Sequence, residues 1–236
     1  TTGRLIDPAS KFYKNGGNKS VSVSKDGKPA GELYGTTPKF QICCPMSKAY
    51  RDQMVREISR MVAEYGASAV QIDQISSAEA CFCYDTDHGH DTPAGNFLPG
   101  YDLMLAAIRD AGRAINPDFF IWVEGCHERF SQFYDVNQSG DEGDGCGIDT
   151  PRPEVFPYVY PHLLVTASTA TTNLLCHAFC QGKAMDTPLN VLDNTELCGL
   201  LSEFVALRKA LPQYFLHGTF RDNNGIESTG PAQPFR

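Results

Sequence analysis

From residue 39 the hydrophobic pattern alternates between strand and helix periods. "KFQICC" is an apolar run of strand length. The segment after it, "PMSKAYRDQMVREISRMVAEYG", places Met54, Ile58, Met61, Val62 and Tyr65 at helical spacing. Ser47 is positioned to cap that helix and Gly66 to stop it. "SAVQID" then reads as a strand, followed by a long loop through "CYDTDHGHDTPAGN". "GYDLMLAAIRDAGRAINP" predicts a second helix ending at Pro117, which feeds the strand "FFIWVE". "HERFSQFY" predicts a short helix, and residues 139–154 a Gly-, Asp- and Pro-rich loop. "PHLLVTAS" and "NLLCHAFCQG" are the last strand candidates. "NTELCGLLSEFVALRKAL" closes the pattern as a capped helix, with Leu197, Leu200, Leu201, Phe204 and Val205 as its buried stripe.

Strand–helix–strand alternation predicts an α/β fold with a parallel sheet covered by helices. The expected architecture is a (β/α)8 TIM-type barrel, whole or truncated, because five or six strand candidates fall short of the eight that close one. The early segment or another chain would supply the rest. An open doubly wound sheet is the competing architecture, but its dinucleotide-binding form needs a G-x-G-x-x-G that is absent after the first strand. Residues 1–38 read as a loop-rich opening segment with a hairpin at "KDGK". Residues 39–220 read as the catalytic barrel region and 221–236 as a C-terminal tail.

The strands end unusually. "AVQIDQIS" reaches Asp73 and "DFFIWVEG" reaches Glu124, with a weaker echo at Asp135 in "QFYDVNQ". Alternation puts Gln71 with Asp73 on one strand face, and Trp122 with Glu124 on another. Carboxylates at the C-terminal ends of consecutive parallel strands converge on the rim where barrel enzymes build active sites. Two carboxyl groups flanking a glycosidic bond can act as nucleophile and proton donor. Asp73, the intrinsically stronger acid, is assigned as nucleophile. Glu124, desolvated beside Trp122, is assigned as acid/base. Asp135 is assigned to sugar hydroxyls or to the oxocarbenium-like transition state. A carboxylate at a strand end also fits a plain loop start or helix cap, and it is the recurrence that favours a site.

The net charge of −8 and pI near 5.2 argue against nucleic-acid or anionic-membrane partners, which reward basic patches. No run is long enough to span a membrane. The chain opens with "TTGRLIDPAS", without Met or a signal-like core, which suggests a trimmed or processed piece and leaves localisation unassigned. The nine cysteines form no C-x-x-C pair, so a zinc ribbon is not expected, and mostly reduced buried thiols are.

"AVQIDQIS", "CYDTDHGH", "GYDLMLAAIRDAGRAINPDFFIWVEG" and "AFCQGKAMD" resemble bacterial (β/α)8 glycoside-hydrolase-like proteins over about residues 40–220. These are distantly similar to retaining α-glycosidases of the α-amylase and endo-α-N-acetylgalactosaminidase type. The resemblance implies an Asp nucleophile on the fourth strand and a Glu acid/base on the fifth, matching Asp73 and Glu124. It also implies earlier strands and further domains outside this chain. A related α-galactosidase-like group uses strands four and six, which would make Asp135 the acid/base.

"DTDHGHD" follows the Asp73 strand, and His88 and His90 are expected to contact sugar hydroxyls, as are Tyr101 and Trp122 by stacking. An H-x-H pair can bind zinc, but no third ligand is evident, so no metal and no organic cofactor are assigned. "SGDEGDGCGID" carries Asp141, Glu142, Asp144 and Asp149 at a spacing that misses a calcium loop. The reading is a retaining glycoside hydrolase acting on an oligosaccharide or glycoside, and the resemblance implies that the bond is α-linked. Its rivals are a non-catalytic carbohydrate-binding barrel or inactive fragment, and a metal-dependent hydrolase using His88 and His90.

Overall fold

The computed structural model describes residues 3–33, 39–139, 158–161, 163–215 and 217–219. They belong to two compact units, Thr1–Asp135 and Val136–Arg236.

The first unit opens with a small antiparallel sheet. β3 (Lys39–Ile42) lies between β1 (Leu5–Ile6) and β2 (Gly31–Leu33), with Leu5 opposite Ile42 and Gly31 opposite Gln41. "KFQICC" is therefore a strand, but not a member of the parallel series. Its pattern could not reveal that, because apolar periodicity specifies a strand without its partner and β1 is only two residues long. The "KDGK" hairpin is present: the Ser24 N–H donates to the Lys28 carbonyl at 2.9 Å, and Gly27 takes φ 79°.

After the short helix α1 (Lys11–Lys14), α2 spans Lys48–Tyr65. Its Ile58 and Val62 are buried, with Met54 and Met61 packed beside them, whereas Tyr65 in the last turn is 70% exposed. Ser47 sits at the N-cap, but its hydroxyl donates to Ser20 Oγ at 2.8 Å instead of capping. Gly66, at φ 67°, ends the helix as expected.

β4 (Ala69–Ile72) and β5 (Phe120–Glu124) pair in parallel, linked through α3 (Phe97–Ile115), with Ala69 opposite Phe120 and Ile72 opposite Val123. Val70, Ile72, Ile121 and Val123 enter one core with Met104, Leu105 and Ile108 of α3 and with Ile58 and Val62 of α2. Each such side chain contributes about 1.5–3 kcal/mol by burial. A one-residue slip would turn all four strand residues out of the core, so the register is firmly held. Gln71 and Trp122 occupy the opposite face and are less buried.

In the second unit β6 (Val136–Ser139), β7 (Leu164–Ser168) and β8 (Ala184–Asp186) run parallel, with Val136 opposite Leu164 and Thr166 opposite Ala184. "NLLCHAFCQG", expected as a strand, is instead helix α4 (Thr172–Cys180). Thr171 caps it by accepting the Leu174 N–H at 3.3 Å, and Leu175 and Ala178 are buried at helical spacing. A short apolar run suits either state, and here the cap decides. α5 (Thr195–Ala210) is capped by Asn194, which accepts the Leu197 N–H at 3.1 Å. Its buried stripe includes Leu197, with Leu200, Leu201 and Phe204 against the same cluster.

The fold class is thus α/β with parallel strands, and among the described residues no closed eight-stranded barrel is seen. The acidic cluster Asp141, Glu142, Asp144 and Asp149 and the tail 221–236 lie outside the described residues.

Candidate active site

Asp73 follows the last residue of β4, and Glu124 is the last residue of β5. The parallel register, with Ile72 opposite Val123, sets the two side by side at the C-terminal ends of their strands. Their carboxyl groups are close enough that each shifts the proton affinity of the other. Neither has an ion-pair partner among the described residues.

The chain around the pair is shaped to hold it. Gln74 has φ 66°, the one non-glycine in the left-handed region among the described residues, a conformation that costs free energy and that tertiary contacts must over-determine. Those contacts are present: its side-chain amide donates to Glu32 Oε1 at 3.1 Å, and Glu32 is itself paired with Arg4. Just before it, the Gly3 N–H donates to the Asp73 carbonyl at 2.8 Å. Turned this way, the Gln74 N–H reaches Glu124 Oε2 at 3.3 Å, and Ser77 Oγ donates to the same oxygen at 2.7 Å. Gly125, at φ 81°, lets the chain leave β5 where a Cβ would stand 3.2 Å from the Ser76 backbone.

Burial pushes the Asp73 carboxyl up to about 6, helped by its hydrogen bond to Glu124 and by that group's charge. The Asp73 hydrogen bond holds Glu124 below its ordinary value, with further help from Ser77 and the Gln74 N–H, against burial acting the other way. The Asp73 carboxyl thus holds a proton more tightly than usual and the Glu124 carboxyl less tightly, and the two titrate as a pair. The upward shift falls on Asp73, whereas desolvation was expected to raise Glu124. Desolvation beside Trp122 was the expected cause, but three donors converge on the Glu124 carboxylate and outweigh it.

Several expected contacts are not brought to the pair. Asp135 Oδ2 accepts the Ile121 N–H at 3.1 Å, and its Oδ1 pairs with Arg113 at 2.7 Å. That sets it three residues back along β5 from Glu124, about 10 Å at the rise of a strand. Tyr101 is 2% exposed in the core, edge-on to Phe97 with ring centroids 5.1 Å apart. His88 and His90 are buried and face Cys83 and Cys44. A surface cavity of about 850 Å3 touches His88 along with Lys19, Ser47 and Asp85, and is lined by neither carboxylate. Gln71 and Trp122 do lie on the strand face that carries the pair.

Sequence reasoning missed Gln74 and Ser77, although "DQISS" places polar residues directly after the strand.

Parallel β/α units whose adjacent strands end on an interacting carboxyl pair define an α/β protein with an acidic site at the strand ends. A family model described as "Domain of unknown function (DUF6259)" matches residues 1–167, and the chain belongs to that family. A Bacteroides thetaiotaomicron protein named "Putative glycoside hydrolase" is 34% identical over 109 residues, covering 45% of this chain and 16% of that protein. In fold, the chain is similar to the ligand-free α-N-acetylgalactosaminidase NagBb from Bifidobacterium bifidum. The TM-score is 0.64 and identity 11%, over 86% of this chain and 34% of that one. It is similar also to the GH36 α-galactosidase AgaA from Geobacillus stearothermophilus, with TM-score 0.57 and identity 12%, over 93% and 31%. The chain therefore spans about a third of these structures and a smaller share of the curated relative. These likenesses fit a distant glycoside-hydrolase-like relationship.

Proposed function

We propose that this chain contributes the catalytic carboxyl pair of a retaining glycoside hydrolase. The observation that carries the reading is the pairing of Asp73 and Glu124, electrostatically coupled at neighbouring parallel strand ends. Inversion needs carboxyls roughly 6.5–9.5 Å apart, with a water held between one of them and the sugar, whereas retention uses about 5–5.5 Å. A directly interacting pair on adjacent strands is nearer the retaining arrangement.

Asp73 attacks the anomeric carbon while Glu124 protonates the leaving oxygen. Glu124 then takes a proton from water as that water releases the sugar from Asp73. With substrate between the two groups, Glu124 must carry the proton and Asp73 must be ionised. Trp122 and Gln71, on the same strand face, supply a stacking surface and a hydrogen-bonding amide. The names of the structural neighbours favour an α-galactoside or α-N-acetylgalactosaminide as substrate, and the strands belong to a barrel that other parts of a longer protein complete.

The test uses aryl glycosides of both anomers, including these two sugars. Glu124→Ala should lower turnover of a poorly activated glycoside by about 10²–10⁴-fold, and far less with a good leaving group. Azide should then rescue it with a glycosyl azide of retained configuration. Asp73→Ala should abolish turnover, and azide should give the inverted anomer. Exchange of these two outcomes would exchange the roles. Unchanged turnover in both variants, or no turnover by the parent with sugar binding kept, would leave only a carbohydrate-binding module.

A further inference from the structure

Four side chains that the carboxyl site does not use meet inside the first unit. Cys44 follows β3, Cys83 lies in the long connection from β4 to α3, and His88 and His90 come just after it. Both thiols are 0% exposed, and the rings are 8% and 6% exposed. One ligand atom from each residue lies within 4.8 Å of all the others. Cys83 Sγ is 3.3 Å from His88 Nδ1, and Cys44 Sγ is 3.5 Å from His90 Nε2. In a tetrahedral zinc site, with bonds of about 2.3 Å to sulfur and 2.0–2.1 Å to nitrogen, adjacent ligand atoms stand roughly 3.3–3.8 Å apart. Two edges of the cluster already have that length.

The outer nitrogens make the case stronger. His88 Nε2 is 2.6 Å from the Lys19 carbonyl, and His90 Nδ1 is 3.0 Å from the Thr92 carbonyl. A carbonyl can only accept, so each of these nitrogens carries the proton. The inward nitrogens, Nδ1 of His88 and Nε2 of His90, are then lone pairs aimed at the thiols. The two rings use opposite atoms to reach this result, which no shared local motif would produce. Imidazoles that ligate metals are held in this way, with the second nitrogen donating to a carbonyl or carboxylate.

We propose that Cys44, Cys83, His88 and His90 hold a structural zinc ion. Two thiolates with two imidazoles suit zinc and not magnesium or calcium, which take oxygen. Two thiolate charges balance the dication, so the buried site is neutral overall. Four protein ligands leave no open position for water, which marks a closed structural site and sets aside the metal-dependent hydrolase reading. The connection between β4 and α3 contains no regular element longer than the 3₁₀ turns Thr86–His88 and Pro93–Asn96. Zinc would fasten that connection to the end of β3, with both thiol protons released on binding. The inference does not depend on the proposed hydrolase activity.

The test is metal analysis of the whole chain purified under reducing conditions after growth with zinc. About one zinc per chain is expected. Exchange with cobalt(II) alone should give intense thiolate-to-cobalt absorption and tetrahedral visible bands. Cys83→Ser should lower the charge-transfer intensity by about half, and His90→Asn should weaken zinc retention against a chelator. Stripping zinc should lower the melting temperature, and zinc alone should restore it. A parent chain holding less than a tenth of an equivalent, with no cobalt–thiolate band, overturns the proposal. So does a Cys44–Cys83 disulfide found in freshly reduced and zinc-supplied protein. These readings come from the parent chain and stand even if a variant fails to fold.

Discussion

Ser77 and Gln74 help Asp73 to hold Glu124 ionised, and the Ser77 part is measurable. If the singly protonated pair is the active form, kcat/KM is bell-shaped. The basic limb should fall near pH 6, where the shared proton leaves Asp73, and the acid limb below the ordinary glutamate value of 4.5. Ser77→Ala removes the 2.7 Å donor that stabilises the Glu124 anion. Its acid limb should therefore move to higher pH in an activity–pH profile, while the parent's stays in place. Asp135 gives the contrasting result. Its bridge to Arg113 is 37–41% exposed on the two side chains, so it is worth no more than about 1 kcal/mol. Asp135→Asn should leave kcat within about twofold, and a hundredfold loss would return Asp135 to the catalytic set.

At the level of elements, the approach of α3 to the start of α2 is set by one missing side chain. A Cβ on Gly100 would stand 2.6 Å from the Pro45 backbone carbon, a contact that no rotamer change relieves. Gly100→Ala should destabilise the first unit by about 1–3 kcal/mol, read as a lower denaturant midpoint with little change in slope. Ile121→Ala, at 0% exposure between the strand pair and α3, should cost about 2–5 kcal/mol. Element type was readable wherever the apolar stripe was long, as in α2, α3 and α5. It failed at Thr172–Cys180, where nine residues with a continuous apolar run carry no period strong enough to separate helix from strand.

Over the whole molecule, the carboxyl pair couples stability to pH. Asp73 binds its proton more tightly folded than unfolded, with an ordinary value of 3.8 and a folded value near 6. Between those values the folded state holds the extra proton, so the stability this group contributes is present at low pH and is lost as pH rises through the window. The melting temperature of the parent, taken relative to Asp73→Asn, should therefore fall from about pH 4 to 6 and level off above. A relative melting temperature that rises over that range would mean that Asp73 is ionised in the folded protein. No helix among the described residues is long and apolar enough to cross a membrane.

By itself the sequence determined the α/β alternation, most helix limits, and the two strands that end on Asp73 and Glu124. Each of these is written in local periodicity and in caps such as Asn194 and Gly66, which act within a few residues. Only the tertiary structure decided what those residues meet. It set β3 in an antiparallel sheet, placed Asp135 beside the start of β5 and sank Tyr101 into the core. It turned Gln74 and Ser77 onto Glu124, which stabilises that carboxylate. It also brought Cys44 to Cys83, His88 and His90 across a separation in sequence that no spacing rule spans. Pairing, burial and proton affinity depend on neighbours from distant parts of the chain, and a one-dimensional pattern does not name them.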